Sequence, residues 1–126
     1  MVRSILLAFA SPKSDHEDGV FNDWYSNTHI HDVAGVEGVV SATRYRIAHD
    51  VEVLPGVAAP PQQYLAVYEL AATTEIELAG FCEGLRAALG AGQADISPSL
   101  DPTNMGAAVC LPIGERVVAP GDGVSA

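Results

Sequence analysis

One pattern occurs twice along the chain and limits what it can fold into: a short apolar run, a stretch with apolar side chains at helical spacing, and a second short run. The first copy begins at residues 3–10, Arg-Ser-Ile-Leu-Leu-Ala-Phe-Ala, closed by Ser11-Pro12, which reads as a buried strand. Ser14 and Glu17 have capping-box spacing, and acids crowd the turn between them, where a helix dipole favours them. A helix is therefore expected from that point to about Val33, broken by Gly35 and Gly38. Val39 to His49 alternates as a second strand, with Val39, Ser41, Thr43, Tyr45 and Ile47 on one face and Val40, Ala42, Arg44, Arg46 and Ala48 on the other. Two arginines on one strand face belong at a polar rim, at an interface or against an anionic group, not in a core.

The second copy starts at Gln63–Ala71, where Tyr64, Ala66, Tyr68 and Leu70 alternate against Leu65, Val67 and Glu69. Thr74 and Glu77 form a second capping box, opening a helix on which Leu78, Phe81, Cys82, Leu85 and Leu89 share a face. Gly90-Ala-Gly92 ends it, residues 93–104 read as a loop around Pro98 and Pro102, and Met105–Ile113 is a fourth strand placed near an edge by Pro112. The order is βαββαβ, the ferredoxin-like arrangement of the α+β class: a four-stranded antiparallel sheet with its helices on one face. Residues 1–118 make one such domain, and residues 119–126, rich in Gly and Pro, are expected to be a flexible tail. The connection over residues 50–62, with Pro55-Gly56 and Pro60-Pro61, is expected to be a flap or a dimer contact. The sheet face without helices carries apolar side chains, which favours pairing of two copies through their sheets.

Charge narrows the partners. Sixteen acids against six bases give a formal charge of −10, which disfavours nucleic acid and anionic membrane surfaces. No apolar run approaches a membrane-spanning length and the first residues lack the pattern of a signal peptide, so a cytoplasmic protein is expected. Cys82 and Cys110 lack metal-type spacing and read as reduced, buried thiols.

The chemistry concentrates in Phe21–Asp32, which holds the single Trp and two of the four His. On a regular helix Phe21, Tyr25 and His29 fall on one stripe, with Val20, Trp24 and Thr28 on the next, and Asp32 lies three residues beyond His29. His29 is the candidate acid–base group, since an imidazole offers both protonation states near neutral pH. Asp32 would fix its tautomer and Tyr25 would donate to a substrate carbonyl. The plainer reading keeps His29 as a helix-end cap or a partner of a backbone carbonyl. His29 and His31 point about 200° apart on a helix, and no third His or Cys lies nearby except His16, half a helix away on a loop, so no metal is expected. Without a Gly-rich phosphate loop or a nucleophile elbow, neither a nucleotide cofactor nor serine hydrolysis is expected, and the site is read as cofactor-free.

Phe21-x-x-Trp24-Tyr25-x-x-x-His29, the turn Gly35-Val-x-Gly38 and the strand start Val40-Ser-Ala-Thr-Arg-Tyr45 together resemble the EthD-like family of the dimeric α+β barrel superfamily. The match is sharpest over residues 21–46, and it departs from the family at His31 and Glu37, where such proteins carry Pro. The resemblance implies a homodimer with an apolar pocket between sheet and helices. His29, Asp32 and Tyr25 would act there, with Phe21, Trp24, Thr28, Tyr45, Tyr68 and Arg44 against the substrate. The reaction it implies is dehydration, cyclisation or isomerisation of a hydrophobic, oxygenated small molecule of aromatic or polyketide type. The alternatives are a protein that only binds a hydrophobic ligand, an accessory protein of an oxygenase pathway, or a cofactor-free monooxygenase.

Overall fold

Strand β1, Ser4–Ala10, is one of the two inner strands of the sheet in the computed structural model, which describes residues 2–90 and 96–121. It pairs antiparallel with β3, Tyr64–Leu70, and with β4, Gly106–Cys110; β2, Val39–Arg46, pairs antiparallel with β3. The strand order β2-β3-β1-β4 is that of the ferredoxin-like fold, and β4 is an edge strand, with Pro112 just beyond its end. Between β1 and β2 runs a helical arm made of α1, Asp18–Trp24, a π turn, Tyr25–His29, and α2, Ile30–Ala34. Between β3 and β4 lies α3, Glu75–Gly90.

The register decides which side chains meet the helices. Leu6 opposes Tyr68, Ala8 opposes Ala66 and Ser4 opposes Leu70, so these side chains share the inner face with buried Phe21, Tyr25, Val33, Leu78 and Phe81. Ile5, Leu7, Leu65 and Val67 stand on the outer face, where no helix covers them and none is fully buried. Ser4, polar and buried on the inner face, is satisfied by donating to the Ala72 carbonyl at 2.6 Å.

Two local readings change in the structure. A bulge between Val39 and Ser41 puts Val39 opposite Leu70 and Ser41 opposite Glu69, so Val39 joins the core while Ser41, Thr43 and Tyr45 take the outer face. Arg44, opposite Ala66, thereby lies on the inner face among the aromatic side chains, not on a solvated rim. The first capping box does not form: the Glu17 N–H goes to the Ser14 carbonyl in a 3-10 turn over Asp15–Glu17, and the Ser14 side chain caps nothing. The second one does, with the Glu77 N–H on Thr74 Oγ1 at 3.1 Å and Glu77 Oε1 accepting from the Thr73 N–H and hydroxyl, both at 2.8 Å.

Gly38 turns the arm into β2 at φ +101°, a conformation that favours glycine, and a Cβ there would come within 3.3 Å of the Phe81 ring and press on it. Residues 96–104 are pinned across the end of β1: the Lys13 N–H donates to the Ser99 carbonyl and the Asp101 N–H to the Ser11 carbonyl. This holds Leu100 against the core. The 50–61 connection is exposed throughout, Val53 at 84 %. The expected tail, residues 119–126, lies outside the described residues from 122 onward, as do 91–95 of the expected helix end and loop.

Candidate functional site

The π turn has a reason in the sequence. Phe21, Tyr25, His29 and Val33 are each four residues apart, and on a regular helix four residues overshoot a full turn by about 40°. Three such steps would carry Val33 about 120° away from Phe21, off the sheet. Taking up one extra residue in a π turn absorbs about 100° of that drift. Phe21, Tyr25 and Val33 are all buried at 4 % exposure or less, as only the corrected stripe allows. His29 closes this turn, and its ring is stacked on Trp24 (centroids 4.7 Å apart, planes at 25°) and meets the edge of Tyr25 (4.8 Å, 86°). Trp24 thus belongs with His29, five residues on, instead of with a separate Val20–Thr28 stripe.

A cavity of about 150 Å³, partly open to solvent, lies between this arm, the sheet and α3. His29, Trp24, Tyr25 and Tyr68 form one side of it; Leu85 and Leu89 of α3, Leu100 and Met105 close the other. A second depression, about 1000 Å³ and open to solvent, runs between α2 and α3 past His31, Asp32, Glu37 and Glu77. Its glycines and alanines offer little for a ligand to grip, and the aromatic side chains converge on the smaller cavity.

Burial sets the charge states. It lowers the pKa of His29 below the ordinary imidazole value; Asp32 opposes the shift by its charge and Arg44 adds to it. His29 is therefore neutral at neutral pH and able to accept a proton. Burial raises the pKa of Tyr25 and, more strongly, that of Tyr68, so both phenols stay protonated. The Tyr25 and Tyr68 hydroxyls interact through a weak hydrogen bond of poor geometry that raises the Tyr68 pKa and lowers that of Tyr25, and among the described residues the Tyr68 hydroxyl has no better partner. Among the described residues His29 Nδ1 and Arg44 Nε are buried without a hydrogen-bond partner. The Arg44 guanidinium lies 4.4 Å from the centre of the Tyr25 ring and donates to Asn22 Oδ1 at 3.0 Å and Ser26 Oγ at 2.9 Å. Asn22 in turn donates to the Tyr64 hydroxyl at 2.9 Å, which donates to Asp18. Arg44 thus braces the arm against β2 through neutral oxygens, and among the described residues no carboxylate pairs with it directly.

The structure brings His29, Tyr25, Trp24 and Tyr68 together, with Phe21 fully buried behind them and Arg44 over the far face of Tyr25. It does not bring in three others. Asp32 makes no hydrogen bond or ion pair with His29 among the described residues and lines the open depression; α2 resumes regular geometry beyond the π turn and carries it away. Thr28 is exposed, and Tyr45 is 53 % exposed on the outer sheet face, where the β2 register puts it. Sequence reasoning missed Val33, Leu100 and Met105 as wall residues because they come from distant segments that no local pattern links. It missed Asn22, Ser26 and Tyr64 as the partners that fix Arg44 for the same reason. Among the described residues no group of three His, Cys, Asp or Glu stands close enough to hold a metal ion, and no helix is long and apolar enough to cross a membrane. Cys82 and Cys110 are free and half-buried.

No protein-family model matches the chain, and no curated protein is similar to it. Among solved structures it is similar to a protein of Shewanella loihica PV-4 described as a putative monooxygenase, with 17 % sequence identity and a TM-score of 0.49. That likeness covers 90 % of this chain and 97 % of the other.

Proposed function

We propose that this protein is a small cofactor-independent enzyme of the EthD-like, dimeric α+β barrel type, cytoplasmic and homodimeric, in which His29 moves a proton on a hydrophobic oxygenated molecule. The observation that carries this reading is His29 itself: a neutral imidazole clamped between Trp24 and Tyr25 in the wall of an apolar cavity. A base held at fixed orientation against an apolar wall suits abstraction of a proton next to a carbonyl, and hence dehydration, cyclisation or isomerisation. Tyr25 and Tyr68, both protonated, are the available donors to the substrate oxygen. Pairing through the outer faces would bury the remaining surface of Ile5, Leu7, Leu65 and Val67, which are only partly buried in a single copy.

One observation favours a second reading, in which the cavity only holds its ligand. Asp32 does not orient His29, so the imidazole lacks the carboxylate partner that supports many general bases. A cofactor-free monooxygenase would use the same neutral His29 to deprotonate its substrate before oxygen attacks.

Turnover of candidate cyclic ketones and phenols by the wild type and by His29→Ala separates these readings. A catalytic His29 loses about 10²–10⁴-fold in kcat/KM on replacement, with ligand binding retained. Equal rates for the two proteins, with binding intact, leave only the ligand-holding role. The dimer is tested by sedimentation at micromolar concentration, where a monomer would contradict it.

A further inference from the structure

Arg44 stands where an apolar side chain would cost the fold less. Opposite Ala66 on the inner sheet face, it is half-buried, with its guanidinium carbon 5.9, 4.4 and 5.2 Å from the ring centres of Phe21, Tyr25 and Tyr64. Taking a charge out of water is unfavourable unless an opposite charge offsets it. Among the described residues no carboxylate pairs with Arg44 directly, and its Nε stays unsatisfied. A side chain kept at that cost calls for another reason to be there.

The planar fork supplies one. Nη2 donates to Asn22 Oδ1 at 3.0 Å and Nη1 to Ser26 Oγ at 2.9 Å. Asn22 belongs to α1 and Ser26 to the π turn, so one rigid group spans the junction where the regular helix gives way. The same guanidinium lies over the Tyr25 ring, and that ring meets His29 at 4.8 Å with its plane turned by 86°. Phe21 and Trp24 pack on Tyr25 at centroid distances of 5.7 and 5.4 Å, so its remaining freedom is set by what covers its face. Arg44 itself is not among the side chains that line the cavity.

Resting on the reading of this cavity as the functional site, we infer that Arg44 is a positioning residue: its fork, held on Asn22 and Ser26, fixes the Tyr25 ring and through it the stack of His29 on Trp24. Lysine cannot take this role. A point charge on a flexible stem neither lies flat on a ring nor holds two oxygens in fixed directions. Arg44 also acts on His29 by its charge, so a variant that keeps the charge isolates the fork.

NMR of the full-length, ligand-free protein at a pH where His29 is neutral tests this without reference to turnover. An imidazole stacked on an indole has its ring protons shifted upfield by the indole ring current, so the His29 Hδ2 and Hε1 signals report the stack. Arg44→Lys keeps the charge and loses the fork, and should move both signals downfield toward their unfolded positions. Asn22→Ala/Ser26→Ala removes both acceptors while Arg44 stays, and should move them as far. Combining the two changes should add little, because both break the same bonds. Ser26→Ala alone, at an exposed position, should move them part of the way. A role for Arg44 in stability alone, or in direct contact with a ligand, predicts unmoved signals. His29 signals at their wild-type positions in any folded variant of this set would therefore overturn the inference, and so would shifts that add in the combined variant. Turnover that survives His29→Ala would sink the catalytic reading and leave this inference standing; unmoved His29 signals in Arg44→Lys would do the reverse.

Discussion

The two helical segments on the inner face of the sheet do opposite jobs, and their spacing explains why. On α3 the apolar positions Leu78, Phe81, Cys82, Leu85 and Leu89 step by three, one, three and four, so the overshoot of one step is cancelled by the next. The helix stays regular, its Thr74–Glu77 cap forms, and it contributes packing. On the arm from Asp18 to Ala34 the wanted side chains step by four every time, and a regular helix cannot follow. The π turn repairs the stripe, and in doing so it stacks His29 on Trp24. Irregularity and chemistry fall on the same five residues because both answer to one demand, that Tyr25 and His29 face the cavity while Val33 still reaches the core.

The sharpest way to break this contrast is to remove one large core ring from each segment. Phe21→Ala and Phe81→Ala should each cost about 3–5 kcal/mol of stability, measured by chemical denaturation. Only the first should also weaken ligand binding, since Phe21 supports Trp24 and Tyr25 at ring-centroid distances of 5.9 and 5.7 Å. Equal loss of binding in both variants would mean that α3 shapes the site as much as the arm does.

Thr74→Ala probes the regular helix alone. Losing a side-chain cap should cost about 1 kcal/mol with no change in binding. The Glu77 carboxylate is held below its usual pKa by its hydrogen bonds to Thr73, so its contribution is present above the ordinary glutamate pKa and is lost as pH falls through its lower folded value. An unchanged midpoint for Thr74→Ala would show that the cap seen at 3.1 Å contributes nothing.

The smallest expected effect tests the π turn. Deleting exposed Asn27 turns the spacing four-four-four into four-three-four, which a regular helix accommodates. The deletion should change stability by less than about 1 kcal/mol and keep the cavity. If the stripe did not depend on the extra residue, the deletion would swing Val33 out of the core by about 100° and unfold the arm, at the cost of a lost core side chain, about 2–5 kcal/mol.

Much of this was legible in the sequence, and the failures have physical causes. The element order and the sheet followed from apolar runs and helical stripes, because a pattern repeated over seven to sixteen residues outweighs any single position. His29, Tyr25 and Tyr68 were legible as polar members of otherwise apolar faces. The π turn was not read, although its signal, a strict run of fours through Phe21, Tyr25, His29 and Val33, was there. The β2 bulge had no signal: one residue inserted after Val39 reversed that residue's face relative to the rest of the strand, and only pairing with β3 fixes it. Three-residue spacing lets Asp32 reach the His29 ring, but it does not decide whether a bond forms: among the described residues Asp32 acts on His29 by its charge alone and lines the open depression.

Central to the account is a neutral His29 in the cavity wall, and the direct measurement is the NMR titration of its imidazole. The folded pKa should lie below 6.5, because burial outweighs the attraction of Asp32. The unfolded chain then binds more protons than the folded one between the two pKa values, so stability falls as pH drops through that window and levels off below it. His29→Gln should flatten that slope. A His29 titrating at or above 6.5, with no loss of stability on acidification through that range, would contradict the account: the ring would then be solvated or paired with Asp32, and would not stand as the free acceptor on which the proposed chemistry depends.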